Sequence, residues 1–250
     1  MQVMLSKRFY CIGDFILILK NMENFDTPRK ITAEFFGTAF LLAAVIGSGI
    51  MGEKLSPSNP GVALLANTLA TGAILAVLIL IFGPMSGAHF NPAVTLAFLI
   101  RREIRLGLAI IFISTQIFAA IFGAILAHLM FDVPLLEAST HIRTGPGQWV
   151  AEVVATFGLL ATIFGCIRFR VSAVPYAVGL YISAAYWFTS STSFANPAVT
   201  IARSLTNTFS GIRPEDMPGF IASQLIGAVL ATIVFGWLLH PKTRNKNTSI

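Results

Sequence analysis

Long apolar runs without a charged residue dominate this chain. They cover 35–52, 55–100, 106–131, 153–167, 171–202 and 217–241. A helix that crosses the hydrocarbon core of a bilayer needs about 20 mainly apolar residues. The runs 55–100 and 171–202 are too long for one such helix, and Gly, Pro, Ser, Asn and Thr interrupt both of them. Each of these two runs therefore predicts one spanning helix together with a shorter segment.

The pattern predicts six spanning helices, over 31–51, 61–84, 106–130, 148–167, 171–188 and 217–239. The shorter segments begin at Asn91 and Asn196 and last about ten residues, which is roughly 15 Å of helix, half the hydrocarbon thickness. We interpret them as re-entrant half-helices. Non-helical backbone at that depth needs protein or a water-filled cavity to satisfy its polar groups, so a cavity is expected beside them.

The two halves of the chain repeat each other. The dipeptide Ala-Glu that ends at Glu34 occurs again ending at Glu152. The sequence Asn-Pro-Ala-Val-Thr at 91–95 occurs again at 196–200. Because each half has three spans, the second half must lie inverted in the membrane, with both half-helices pointing their N-termini at one central point. The predicted fold is an all-α membrane protein of six transmembrane helices plus two re-entrant half-helices, arranged as inverted three-helix repeats.

Composition agrees with a chain that uses the bilayer as solvent. Hydrophobic residues make up 55% and charged residues 11%, with a mean hydropathy of +0.77, whereas soluble domains carry roughly 25% charged residues. These values exclude a soluble enzyme. The net charge of +6 does not predict nucleic-acid binding, because the basic residues lie in short interhelical segments rather than on one exposed face. Cys11 and Cys166 have no disulfide or metal-ligand spacing, so no metal or cofactor is expected.

The basic residues also predict orientation. Placing both termini in the cytoplasm leaves all but four of the 17 Lys and Arg residues on that side, as the positive-inside rule favours; the four are Lys54, Arg143, Arg203 and Arg213. The chain is then divided into a cytoplasmic or interfacial extension at 1–30, a channel domain at 31–240 with repeats 31–130 and 148–240, and a cytoplasmic tail at 241–250. We expect a multi-pass protein of a bacterial inner membrane.

The duplicated Asn-Pro-Ala motifs are the strongest functional signal, and their residues are Asn91, Pro92, Ala93, Asn196, Pro197 and Ala198. Asn is a good helix N-cap, and Pro at the first helical position has no N–H to leave unpaired. One copy would be typical of a plain helix cap. Two copies at matching places in an inverted repeat indicate a pore whose Asn amides donate to passing water or hydroxyl groups. The positive ends of the two half-helices would oppose cations.

Other polar residues in the apolar runs have several interpretations. Glu34 and Glu152 are costly in a membrane unless they are hydrogen-bonded. We expect them to accept backbone N–H groups of the re-entrant loops, with a proton relay or a solute site as alternatives. His89 is expected to line the pore, the alternative being a packed loop histidine. Gly123 and Gly227 are expected to allow close helix packing.

The motif segments resemble the aquaporin and aquaglyceroporin family, also called major intrinsic proteins. The resemblance rests on 87–95, 194–200 and the opening 33–38, and it extends over about 31–240. It implies a homotetramer in which each subunit has its own pore. Pore diameter and half-helix dipoles set selectivity in such channels.

The chain departs from this family at its selectivity filter. In most members an arginine follows the second Asn-Pro-Ala, and here that residue is Val199, which lacks the five donors and the charge of a guanidinium. Thr71 stands where water-selective members have a bulky aromatic, and Ser193 is the loop position of the filter. The fifth-helix position is Ala184 by loop length or Tyr186 by helix matching.

This filter resembles a bacterial subgroup with an apolar residue in place of the arginine, some members of which are associated with arsenic resistance. The expected solutes are water, glycerol-like polyols and uncharged metalloid acids such as arsenite in its neutral form. Arg203, one helical turn beyond Val199, is an alternative source of the missing guanidinium. The competing function is a small-anion or gas channel of the same architecture. A purely structural membrane protein would not need duplicated pore asparagines.

Overall fold

The computed structural model describes residues 25–240. Within that range the chain forms eight α-helices, which are α1 (Thr27–Leu55), α2 (Pro60–Ser86), α3 (Pro92–Ile100), α4 (Leu106–Phe131), α5 (Pro146–Phe169), α6 (Val174–Phe188), α7 (Pro197–Arg203) and α8 (Met217–Leu238). Short 3-10 turns at Val171–Ala173 and Pro214–Asp216 precede α6 and α8. The interpretations of the N-terminal extension up to residue 24, of Cys11 and of the tail at 241–250 lie outside the described residues.

Six helical segments within the described residues are long and apolar enough to cross a membrane, namely α1, α2, α4, α5, and α6 and α8 each together with the 3-10 turn before it. The predicted bounds differ most at α1, which runs past both ends of 31–51. Asp26 caps its start by accepting the Arg29 N–H at 3.1 Å, and the helix continues through Glu53 and Lys54. Charged residues end an apolar pattern without breaking the backbone hydrogen bonds, so the helix outlasts the run that predicts it.

The two short helices, α3 and α7, start as the motif predicts. Asn91 is the N-cap of α3 and accepts the Ala93 N–H at 2.8 Å, while Asn196 is the N-cap of α7 and accepts the Ala198 N–H at 3.0 Å. At 9 and 7 residues, both helices are somewhat shorter than expected. Neither is long enough to cross a bilayer.

Helix packing follows the inverted repeat. In the first half α1 packs on α2 and α4, in the second α5 packs on α6 and α8, and α2 meets α6 between the halves. The half-helices connect the repeats, because α3 contacts α8 and α7 contacts α4. The core is therefore shared between the halves rather than divided into two domains.

Small residues allow the closest helix approaches. A Cβ on Gly227 of α8 would lie 2.5 Å from the Val153 carbonyl oxygen of α5, and one on Gly123 of α4 would collide with the Ala39 carbonyl oxygen of α1. The predicted packing role of both glycines is confirmed.

Candidate functional site

A narrow cavity of about 110 Å³ runs between the two halves. Aliphatic side chains of the spanning helices form much of its wall, and the polar groups come mainly from the two re-entrant loops. Its lining includes Leu75, Ile79, Val178 and Ile182 from α2 and α6, His89 and Asn91 from the first loop, and Ser193 and Asn196 from the second. An apolar wall with a few polar groups is typical of a site that passes or binds small polar molecules.

The two loops share one unusual backbone pattern. Ala88 and Phe90 in the first loop have φ values of 49° and 50°, and Ser193 and Ala195 in the second have φ values of 50° and 48°. In each loop these residues lie three positions and one position before the capping Asn. Left-handed conformations are costly for residues with a Cβ and persist only where the surroundings over-determine them. The loops must therefore be held in place by other groups.

Glu34 holds the first loop. One carboxylate oxygen accepts the His89 N–H at 2.9 Å and the Ser86 hydroxyl at 2.7 Å, and the other accepts the Phe90 N–H at 2.7 Å. Gln116 of α4 donates its amide to the same carboxylate at 2.8 Å. The fully buried carboxylate thus satisfies the two backbone N–H groups that the non-helical loop leaves unpaired.

Glu152 repeats the arrangement for the second loop. It accepts the Phe194 N–H at 2.9 Å and the Ala195 N–H at 2.8 Å, while Gln224 of α8 donates to it at 2.6 Å. Gln116 and Gln224 also donate to Thr95 and Thr200, at 3.0 and 2.8 Å. Sequence reasoning missed the contacts of these glutamines with the carboxylates. Their matching places in the two halves were the available signal.

The capping asparagines connect the two re-entrant loops across the cavity. Asn91 donates one amide N–H to the Ala195 carbonyl at 2.7 Å, and Asn196 donates one to the Phe90 carbonyl at 2.8 Å. Each amide therefore ties its half-helix to the opposite loop. A primary amide has two N–H donors, so each side chain keeps a second donor, and both side chains line the cavity.

Four of the five predicted filter residues lie on the wall of this cavity. Thr71, Tyr186, Ser193 and Val199 all line the cavity, and the Tyr186 hydroxyl donates to Thr71 Oγ1 at 3.3 Å. Of the two fifth-helix alternatives, Tyr186 faces the cavity and is 4% exposed, whereas Ala184 is exposed on the outside of α6. Of the two alternatives, only the one given by helix matching therefore lines the cavity.

Two guanidinium groups lie beside the second re-entrant loop, over the ring of Phe194. Arg203, at the last residue of α7, is 2% exposed, and its Cζ lies 3.4 Å from the centroid of the Phe194 ring. Its Nε donates to the Ser210 carbonyl. Arg143, in the segment between α4 and α5, lies over the same ring at 5.3 Å. Arg203 lines the cavity. Arg143 was not selected by sequence reasoning, since nothing local distinguishes it from a surface arginine.

The major intrinsic protein family matches residues 21–172 and 166–250. The chain belongs to the major intrinsic protein family. It is 57% identical over 220 residues to the aquaglyceroporin AqpS of Rhizobium meliloti (strain 1021), covering 88% of this chain and 94% of that protein. It is 30% identical over 229 residues to aquaporin-5 of Rattus norvegicus, covering 86% and 82%.

The fold also matches a solved family member. The crystal structure of the aquaglyceroporin from Plasmodium falciparum aligns with a TM-score of 0.65 at 19% identity, over 84% of this chain and 96% of that one. The predicted all-α membrane fold and the predicted family are confirmed. As a major intrinsic protein, the chain is a passive transmembrane channel for water and small neutral solutes, and not an enzyme.

The histidines take different places in this channel. His89 is buried and lines the cavity, with Nδ1 3.1 Å from Thr95 Oγ1. His128 is buried away from it, between the Leu135 carbonyl and the Thr206 hydroxyl, each 2.7 Å from a ring nitrogen. Among residues 25–240, no cluster of His, Cys, Asp and Glu has the composition to hold a metal ion.

Proposed function

We propose that the channel conducts water, glycerol-like polyols and uncharged metalloid acids through a filter built from Thr71, Tyr186, Ser193 and Val199. One observation carries the proposal, which is that the side chain after the second Asn-Pro-Ala is an isopropyl group on the cavity wall. This smaller side chain leaves open the space that an arginine at this position would occupy. The solute class agrees with the name of the 57% identical relative, an aquaglyceroporin.

Only part of the filter wall carries polar groups that can hydrogen-bond to a hydroxylated solute. Thr71 and Tyr186 present hydroxyls, and the buried Ser193 Oγ has no hydrogen-bond partner in the described part of the chain. Val199 and the aliphatic side chains face the carbon skeleton of a polyol. A solute with several hydroxyls and no charge can therefore exchange water for protein hydrogen bonds along the path, which limits the cost of its desolvation.

The asparagine pair at the centre supports passage of neutral molecules and exclusion of cations. Asn91 and Asn196 present their remaining N–H donors to the oxygen of a passing molecule. The N-terminus of a helix carries about half a positive charge, and the two N-caps contact each other's loops. Both positive ends thus lie at one level of the pore, where they raise the energy of a cation or a proton.

The test is a solute panel in proteoliposomes. We expect water, glycerol, urea and arsenite in its neutral form to enter faster through the protein than through empty liposomes. Sucrose, which exceeds the filter, serves as the impermeant control. Water and glycerol fluxes equal to those of empty liposomes would contradict the proposal, and a current carried by small ions in a planar bilayer would favour the ion-channel alternative.

The assembly and orientation are part of the same proposal. We expect a homotetramer with one pore in each subunit, embedded in a bacterial inner membrane with both termini in the cytoplasm. Support comes from the family membership, from the rhizobial relative and from the positive-inside distribution. Native mass measurement in detergent tests the assembly, and a mass of one subunit would contradict it.

A further inference from the structure

A second cavity adjoins the pore cavity at Arg203. It encloses about 260 Å³ and is lined by Pro60, Gly61, Leu64, Asn67, Arg143, Thr192, Arg203 and Phe209. We call it the vestibule. Arg203 lines both the vestibule and the pore cavity, so its guanidinium stands at their junction. Any solute that passes between the two spaces must come close to this side chain.

The hydrogen bonds of Arg203 are incomplete. Its Nε donates to the Ser210 carbonyl, but Nη1 is buried and has no hydrogen-bond partner among residues 25–240. A buried donor of a charged group without an acceptor is costly, more so than a neutral one. The side chain is 2% exposed, so the arrangement leaves a fixed donor where a ligand oxygen would complete it.

Arg143 brings a second positive charge to the vestibule. Its Nε donates to the Gly211 carbonyl at 2.7 Å, and its backbone N–H donates to Asp216 at 3.0 Å. Both guanidinium groups lie over the ring of Phe194, which fixes them at one place. Partial burial lowers the pKa of the Arg143 guanidinium, because its charge is incompletely hydrated.

Glu152 is near enough to attract both guanidinium charges, but its carboxylate is bound to the second re-entrant loop and to Gln224. Within residues 25–240 neither arginine forms an ion pair, and the carboxylate of Asp216 binds Arg213 at 2.9 Å. No Asp or Glu lines either of the two cavities in that part of the chain. Two fixed cations without a directly paired carboxylate, one of them with an unused buried donor, are the chemistry that recognises a carboxylate or another oxyanion.

We infer that the vestibule is a binding site for a small singly charged carboxylate or oxyanion, held between Arg203 and Arg143, which slows the passage of neutral solutes while it is bound. The inference rests on the proposed function, because the bound anion would lie at the mouth of the neutral pathway. It assigns the two arginines a ligand of their own, beyond the role of a displaced filter arginine.

Formate is the probe, because its two oxygens match the fork of a guanidinium. Glycerol flux into proteoliposomes is measured at pH 8 with sodium formate on both sides, against sodium chloride at equal ionic strength and osmolarity. We expect formate at roughly 50 mM to lower the protein-dependent flux about threefold, as a dissociation constant in the tens of millimolar would require. Chloride should change it little.

Three variants make the test specific. Arg203→Met and Arg143→Met keep a long side chain without the charge, and we expect the formate effect to disappear in the first and to fall in the second. Lys54→Met is the matched control, because Lys54 is an exposed cation at the end of α1 that lines neither cavity. It should retain the threefold effect. Each flux is compared with the same variant in chloride, so changes in basal flux cancel.

Each outcome is decisive. Absence of inhibition in the unmodified protein, or equal inhibition in Arg203→Met and Lys54→Met, overturns the site. Absence of glycerol flux in chloride contradicts the proposed function instead, so the two failures are distinguishable. If Arg203→Met does not fold, two other measurements replace it. They are the formate effect in Arg143→Met and a formate-dependent rise in the thermal midpoint of the unmodified protein in detergent. A thermal midpoint that is no higher in formate than in chloride overturns the inference.

Discussion

At the scale of single residues, one substitution in a familiar motif sets the proposed width of the pore. Val199 keeps the backbone role of its position, because its N–H donates to Asn196 Oδ1 at 3.3 Å, and its side chain faces the cavity. The capping function of the motif therefore survives a change of side chain. What changes is the volume and charge beside Thr71 and Tyr186.

This position predicts a selective loss of large solutes. We expect Val199→Arg to lower glycerol flux about tenfold, equivalent to roughly 1.4 kcal/mol on the barrier, and to lower water flux much less, because water needs a smaller opening. Light-scattering measurements on proteoliposomes give both fluxes. Val199→Leu is the matched control without charge. Equal loss of water and glycerol flux in Val199→Arg would show that Val199 does not set the size limit.

The buried carboxylates make a second prediction at this scale. Replacing Glu34 by Leu leaves the N–H groups of His89 and Phe90 and the amide of Gln116 without their acceptor. Each unsatisfied buried donor costs about 1–3 kcal/mol, so we expect a loss of several kcal/mol and a lower thermal midpoint in detergent. Glu53→Leu is the control, since Glu53 is exposed on the same helix. Equal midpoints for the two variants would contradict this role of Glu34.

At the scale of helices, contact between main chains replaces contact between large side chains. The residue that faces Val153 is Gly227, and the one that faces Ala39 is Gly123. Close approach brings many atoms within van der Waals distance, which is the main attraction available between helices in a membrane. The two contacts hold α8 on α5 and α4 on α1, and these are the helices that carry the glutamine and carboxylate partners of the loops.

The glycine contacts predict opposite results for two changes on one helix. Gly227→Ala places a methyl group 2.5 Å from the Val153 carbonyl oxygen and must push α8 from α5, so we expect a lower thermal midpoint and reduced flux. Gly236→Ala, also on α8, meets no atom within 4 Å. It should leave the midpoint unchanged or raise it slightly, because Ala favours a helix over Gly by about 1 kcal/mol. Equal effects would contradict the packing argument.

At the scale of the whole molecule, the inverted repeat brings two weak elements together to make one site. Neither re-entrant loop is self-sufficient, because each takes an amide donor from the asparagine of the other. The half-helices also pack on helices of the opposite repeat. A single repeat would leave these groups unsatisfied, so we expect the pore to form only when both halves are folded.

The orientation proposed for this assembly can be tested by labelling. In a chain with Cys11 and Cys166 changed to Ser, Glu137→Cys should react with a membrane-impermeant maleimide in intact cells, and Arg105→Cys should react only after lysis. Both positions are exposed, and the orientation places Glu137 outside and Arg105 inside. The reverse labelling pattern would contradict cytoplasmic termini.

The sequence by itself determined the number of spans, the two half-helices, the inverted repeat and the family. Spans and caps follow from local properties, namely the length of an apolar run and the preference of Asn and Pro for helix starts. The place of Tyr186 rather than Ala184 on the cavity wall was decided only by the tertiary structure. So were the bonds from Gln116 and Gln224 to the carboxylates and the meeting of Arg143 with Arg203 over Phe194. These features join residues far apart in the chain, and their distances depend on how helices pack, which no local pattern records.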